Sequence, residues 1–518
     1  MISFRRGLLC FSVASLLVSA AACGSTAQPS ADSRPAGGSG ANVAGGVSVT
    51  AGSAGSAAAG GSGSSSEQGG ASVMSNGGGN AGSGSGGTNP SSANGGANAN
   101  GGASANGGGQ GAGAPSCAGA LTFSDPKLDA AVRAAVAVPD GPITTKELNE
   151  LTALIAIDRG IQSLAGIECA KSITTLDLGS NQIVDLGPLR GLPNLFTLKL
   201  ADNQIIDLSA LGDLTKLDTV DLSDNAIVDA TPLSKIHSLS RLNLARNHLA
   251  GVSLLGGLST LTALDLSANQ FGDADALKTL TNLRELHVAS TGLSSIAWMS
   301  GMKKLQVVDL AGNGLTNVAT LGGLSEILKL DLSANALQEI GALQGLSKLV
   351  SLSLRKNPIS DVKLVLFMTR PSLLLLDLGE TQFSNLSYLS YLQLESLWLD
   401  STPVASFGIM NMTKLSTLSL ASTSVTDFSS LTFLPALAHV NLDHTTIANL
   451  SPLTGLTKLS DVSLASSLVT ELQPLVDNPA FATAARLDLG SNALDCAAQA
   501  LNLAALKARG VTVKSVCP

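Results

Sequence analysis

Residues 173–194 read ITTLDLGSNQIVDLGPLRGLPN, residues 195–216 read LFTLKLADNQIIDLSALGDLTK, and residues 217–238 read LDTVDLSDNAIVDATPLSKIHS. Stacked, the three share the frame LxxLxLxxNxIxxLxxLxxLxx, and the same frame runs on to the C-terminus. Its copies start at 151, 173, 195, 217, 239, 261, 283, 305, 327, 349, 373, 394, 415, 437, 459 and 484, which makes sixteen, the first of them degenerate. A fixed period of this length is the mark of a solenoid, in which a unit with one apolar side folds only by stacking on its neighbours. LxxLxL carries the alternation of a short strand with inward Leu such as Leu176 and Leu178. The Asn at the ninth position stands where the chain leaves the strand, and its amide both donates and accepts, as stacked turns require. That column runs Asn181, Asn203, Asn225, Asn247, Asn269, Thr291, Asn313, Asn335, Asn357, and then Thr381, Thr402, Thr423, Thr445 and Ser467 before Asn492. A hydroxyl has one donor and not two, so the C-terminal coils are expected to be held differently. Ile183, Leu186, Leu189 and Leu192 close the back of the coil, and Pro188, Pro232, Pro452 and Pro474 suit the first turn of short helical or 3₁₀ segments.

Outside the repeats the composition changes sharply. Residues 24–116 hold 29 of the 55 glycines and contain no Leu, Ile, Phe, Tyr or Trp. Such a stretch cannot bury enough apolar surface to offset its ordering entropy, so residues 23–116 are expected to be a flexible Gly/Ser/Ala/Asn tether with a root-mean-square span of about 55 Å. Before it, Arg5 and Arg6 precede the apolar run from Gly7 to Val18, and Ala20, Ala21 and Ala22 lead to Cys23. Residues 1–22 therefore read as a signal peptide.

The formal charge is −8 for the whole chain and −9 for residues 117–518. A nucleic-acid binder of this size carries a basic excess, so that class is excluded from the expectation. The five His are scattered, and no phosphate loop or nucleophile elbow interrupts the repeats. No catalysis, cofactor, metal or small-molecule substrate is expected.

The repeat frame resembles the leucine-rich repeats, in the 22-residue class of the bacterial internalins. Segment 121–172, with FSDPKLDAAVRAAVAVPDGPITTKELNELTAL, resembles the helical N-terminal cap of such proteins, and Asp125 with Pro126 suits a helix start. Cys23 after its small residues is similar to a bacterial lipobox cysteine, and Gly24 behind it fits the outer-membrane pattern of that family. The resemblance implies an α/β solenoid: an arc with a parallel sheet on the concave face, 3₁₀ or helical segments on the convex side, a helical cap at 117–150, repeats over 151–505 and a C-terminal cap at 506–518. It also implies recognition of a protein or glycan through the concave face. A lipid-anchored binding protein of the outer membrane follows, with a secreted or periplasmic protein as the other location and a structural or inhibitory scaffold as the other role.

Four cysteines remain in the body, and three pairings are open. Cys117 with Cys169 and Cys496 with Cys517 are the expected clips, because a solenoid frays at its ends. On the outward strand positions, Phe196 and Trp398 are the large aromatics, and Arg241, Arg246, Arg284 and His287 form the best cationic cluster. These six are the candidate binding residues. The fifth-position column from Asp177 to Asp488 reads as a solvated charge ladder, within which Asp309 and Asp331 are a weaker candidate for a shared hard cation. His287, between Asp265 and Asp309, is expected to have a raised pKa. Trp298 falls on the back of its repeat and is expected in the core.

Overall fold

The computed structural model describes residues 117–360, 372–389, 391–408 and 412–517. The segments expected to be a signal peptide and a tether, residues 1–116 with Cys23, lie outside the described residues.

The chain enters through a cap. A short antiparallel pair, Ala120–Leu121 with Ile143–Thr144, flanks helix α1, Pro126–Val136, and helix α2, Thr145–Glu150, follows. Both starts are dictated locally. Asp125 caps α1 through the amides of Lys127 (2.8 Å) and Leu128 (3.4 Å), with Pro126 at the first helical position. Thr144 and Glu147 form a capping box on α2. Leu128, Val132 and Leu148 turn inward and are fully buried.

Seventeen parallel strands of three residues then follow among the described residues, from Ala153–Ile155 to Thr512–Lys514. Each pairs with its predecessor and successor in chain order, and successive partners are one repeat apart: Leu154 with Leu176, Leu176 with Leu198, Leu198 with Val220. The sixteen sequence copies account for all but the last strand, which residues 512–514 add beside Arg486–Asp488. The middle residue of every strand before that one is buried, and the residues on either side face outward. On the other side of the coil, 3₁₀ segments such as Gly187–Gly191 and Thr231–Lys235 bring one more Leu inward each. The core is thus one continuous column of Leu, Ile and Val. Each fully buried Leu contributes roughly 1.5–3 kcal/mol, and truncating one to Ala costs about 2–5 kcal/mol.

Two backbone devices turn the coil. The residue before the ladder Asn adopts the left-handed region in every coil: Ser180 (φ 56°), Asp202 (57°), Arg246 (54°), Lys356 (56°) and His444 (56°) among them. Most of these are not Gly, and the strain is offset because the same amide bonds the next coil, as Asp202 N does to Ser223 O at 2.9 Å. On the far side, the Asp at the thirteenth position fastens the turn into the back of the coil: Asp185, Asp207 and Asp229 each accept from the amide two residues on at 2.8 Å.

The ladder Asn stitches coils together. Asn203 Oδ1 accepts from Ile183 N (3.0 Å) in the preceding coil, and its Nδ2 donates back to Leu178 O (3.1 Å) as well as to its own Leu200 O (3.0 Å). Thr291 still reaches the next coil through Asn313 Oδ1 (3.1 Å), but in the run of Thr coils from Thr381 to Thr445 the stitch is missing. Thr381, Thr402, Thr423 and Thr445 donate only to the carbonyl three residues before, at 2.6–2.7 Å, within their own coil. The expectation of a different hold in the C-terminal coils is met: sheet pairing and core packing remain there, and the side-chain bridge does not. Ser467 and Asn492 restore it, reaching Leu442 O (2.9 Å) and Leu464 O (2.6 Å).

Both ends are clipped as expected. Cys117 is joined to Cys169 and Cys496 to Cys517. The second clip holds helix α4, Ala500–Ala508, whose Leu503 and Leu506 cover the end of the core, while α3, Gln473–Val476, replaces a 3₁₀ segment in the longer coil before it.

Candidate recognition face

The second, third and fifth positions of each coil project from the strand ribbon, and sheet pairing sets equivalent residues about 4.8 Å apart. The register places Asp177, Lys199, Asp221, Asn243, Asp265, His287, Asp309, Asp331, Ser353, Asp377, Trp398 and Ser419 side by side in one column. The acids in it have a local job. Asp221, Asp265, Asp309, Asp331 and Asp377 each accept the backbone amide two residues on, at 2.8–3.1 Å, so they fasten the end of their own strand. The ladder of charge read from the sequence is therefore also a ladder of turn caps. Asp309 and Asp331 are register partners, yet no group of three or more His, Cys, Asp or Glu is gathered for a metal among the described residues.

His287 is buried, with Nδ1 4.0 Å from Asp309 Oδ2 and Asp265 on its other side. Burial lowers its pKa, but Asp309, Asp265 and Glu285 together outweigh burial, and the net shift is upward. Its surroundings make it an interior group of the face, not a contact residue.

The four cations do not gather into one open patch. Arg241 faces Glu285 at 4.0 Å, across the intervening strand. Arg246 is held by both carboxylate oxygens of Asp224. His287 is buried, Arg246 and Arg284 are exposed, and of those two only Arg284 makes no ion pair among the described residues. The corrections for Arg241, Arg246 and His287 share one cause: in a stacked sheet each lies within about 4 Å of an acid of a nearby coil.

Phe196 stands on the outward face at 50% exposure, beside Thr174 and Lys216. Trp398 is half-buried between Asp377 and Ser419. Trp298 is in the core, as expected, with Nε1 donating to Ser295 O at 3.3 Å.

Two features of the face escaped the sequence reading. The first is a charge knot. Arg355 extends over Gly379, where any side chain would overlap the guanidinium, and meets Glu380 (2.7 Å), Asp400 (3.0 Å) and Asp377 (3.7 Å). Burial, with Asp400 and Asp331 nearby, pushes the Asp377 carboxyl up to about 6 despite the Gly379 amide and Arg355. The second is an apolar centre. Leu328, Val350 and Leu374 occupy the second position of three adjacent coils, joined by Val350 N to Leu328 O (2.8 Å) and Leu374 N to Val350 O (2.9 Å), and all three are partly exposed. The second-position column of the sequence carries the signal, with Leu328, Val350 and Leu374 in succession.

Leucine-rich repeat models match residues 171–227 and 257–278. A leucine-rich repeat protein of Leptospira interrogans is 21% identical, covers 71% of this chain and 97% of its own, and superposes with a TM-score of 0.60. A TDR receptor is 18% identical over 68% of this chain and 66% of its own, with a TM-score of 0.55. An internalin, InlF of Listeria monocytogenes, is 25% identical over 72% of this chain and 95% of its own, with a TM-score of 0.49. No curated protein matches the sequence. The chain carries leucine-rich repeats and folds as a leucine-rich repeat solenoid.

Proposed function

We propose that this chain is a non-enzymatic binding protein of a bacterial cell envelope. A lipid on Cys23 anchors it in the outer membrane, the tether at 23–116 carries the solenoid away from the surface, and the concave face receives a protein ligand. The observation that carries the reading is the run of three adjacent apolar residues, Leu328–Val350–Leu374, on a strand face whose fifth-position column is mostly polar, with Trp398 on the same side of the sheet. Apolar residues at outward positions do nothing for the solenoid itself, whereas an apolar core within a polar rim is how protein interfaces are built. Two disulfides support an exported protein, because such bonds persist in oxidising compartments. Arg284 and Phe196 sit on the same face and belong to its rim. A glycan is the less favoured ligand, since the face offers few aromatic platforms.

Two measurements test this. Protease treatment of intact cells releases the solenoid if it faces outward and leaves it untouched if it faces the periplasm. Capture of a partner by the purified chain falls at least tenfold for Val350→Asp and Trp398→Ala and is unchanged for Leu254→Ser, an exposed residue away from the strand face. Equal capture by all variants removes the concave face from the account.

A further inference from the structure

The twelfth position of the repeat lies past the ladder Asn, off the strand ribbon. In the coils that start at 173, 195 and 217 it holds Val184, Ile206 and Val228, which are 51%, 54% and 55% exposed. The other coils fill the same position with Gln162, Ala250, Gly272, Ser294, Thr316 and Gln338, and onward with Ser, Ala, Thr or Asp. The repeat is its own control: the fold does not need an aliphatic there, and three consecutive coils supply one. Beside this stripe runs an exposed acid at the thirteenth position of the same three coils, Asp185, Asp207 and Asp229. At the eighth position Asp202 is exposed as well, whereas Asp224 is already paired with Arg246.

We propose that this stripe is a second docking surface, separate from the concave face, for a polypeptide segment that combines apolar side chains with Lys or Arg. Charge decides the occupant. A second copy of this chain meeting the stripe about a two-fold axis sets carboxylate against carboxylate, and like charges brought together under an interface oppose association. An anionic bilayer meets the same repulsion. A basic, apolar segment gains from both columns, because exposed β-branched side chains lose water while the flanking acids find counter-charges.

The test uses the full chain and three synthetic peptides: alternating Val and Lys, alternating Val and Glu, and alternating Ser and Lys. Fluorescence anisotropy should show the Val/Lys peptide binding at least tenfold more tightly than either control. The triple variant Val184→Ser, Ile206→Ser, Val228→Ser should lose that tenfold while its melting curve stays in place, since all three side chains are exposed. Asp185→Asn, Asp207→Asn, Asp229→Asn keeps the turn-capping oxygen and removes the charge, so it should weaken binding about threefold or more and flatten its salt dependence. Unchanged affinity in the aliphatic variant overturns the proposal. So does stripe-dependent dimerisation in sedimentation, or stripe-dependent binding to phosphatidylglycerol vesicles, either of which names another occupant. Val350→Asp should leave this binding intact, so that failure here and failure of the concave-face reading remain distinguishable.

Discussion

Asp125, at the head of helix α1, accepts a 2.6 Å hydrogen bond from the amide of Gln162 in the first coil. The same carboxylate caps the helix and also takes the amide of Ser163 at 3.1 Å, so one side chain ties cap to solenoid. Burial raises its pKa, the four amide bonds outweigh burial, and the net shift is downward. A depressed folded pKa contributes stability that is present above the ordinary carboxylate pKa of about 3.9 and lost as pH falls through the folded value. Asp125→Ala is expected to cost about 2–4 kcal/mol at pH 7, from a lost cap and amides left without their charged acceptor. Chemical denaturation at pH 7 and pH 3 checks it: the gap between wild type and variant should shrink at the lower pH.

Asn225→Thr removes the acceptor of Ile205 N and the donor to Leu200 O, both 3.0 Å and both between coils. The expected loss is about 2–3 kcal/mol, since a buried amide is left without its partner. Hydrogen exchange on the native chain gives the wild-type counterpart. The amides of Ile183, Ile205 and Ile227, each held by the next coil's Asn, should exchange more slowly than those of Val404 and Val425 in the Thr coils.

Asp377 has a folded pKa of about 6, above its unfolded value. Its protonation therefore stabilises the fold fully below about pH 4, and that contribution is lost as pH rises through about 6. Asp377→Asn keeps an acceptor for Gly379 N and leaves Glu380 and Asp400 to Arg355. The variant should be more stable than wild type by about 2 kcal/mol at pH 8 and equal to it at pH 4, read from denaturation midpoints across that range.

The bond between Cys496 and Cys517 closes a separation of 21 residues. Cys496→Ser with Cys517→Ser is expected to destabilise the C-terminal end by about 3 kcal/mol. Because each coil contacts only its neighbours, the damage should stay local. Limited proteolysis should cut near α4 while coils in the N-terminal half remain resistant.

The parts legible in the sequence were those fixed by a repeated inward residue. Leu176, Leu198 and their counterparts announce the strands because the core admits nothing else there, and Asp125–Pro126 announces α1 because capping is local. The two clips were readable from the need to close frayed ends. What escaped depends on neighbours a coil away. Arg246 and Lys356 hold left-handed backbone with no Gly to signal it, since the next coil's carbonyl supplies the compensation. Arg246 reads as an open cation in the sequence, and Asp224, one coil away, holds it in the structure. Arg355 reaches Asp400 across 45 residues of chain, through a gap that only Gly379 leaves open. Asp309 looked like surface charge and proved to cap its own strand.

The strand ribbon is the proposed recognition surface. A photo-crosslinking residue placed at Val350, at Phe196, and at Leu254 for comparison, in cells that display the full chain, tests it most directly. The account predicts crosslinks to another molecule from Val350 and Phe196 and none from Leu254. Crosslinks from Leu254 alone, or from Val350 only to segments of its own chain, would contradict it.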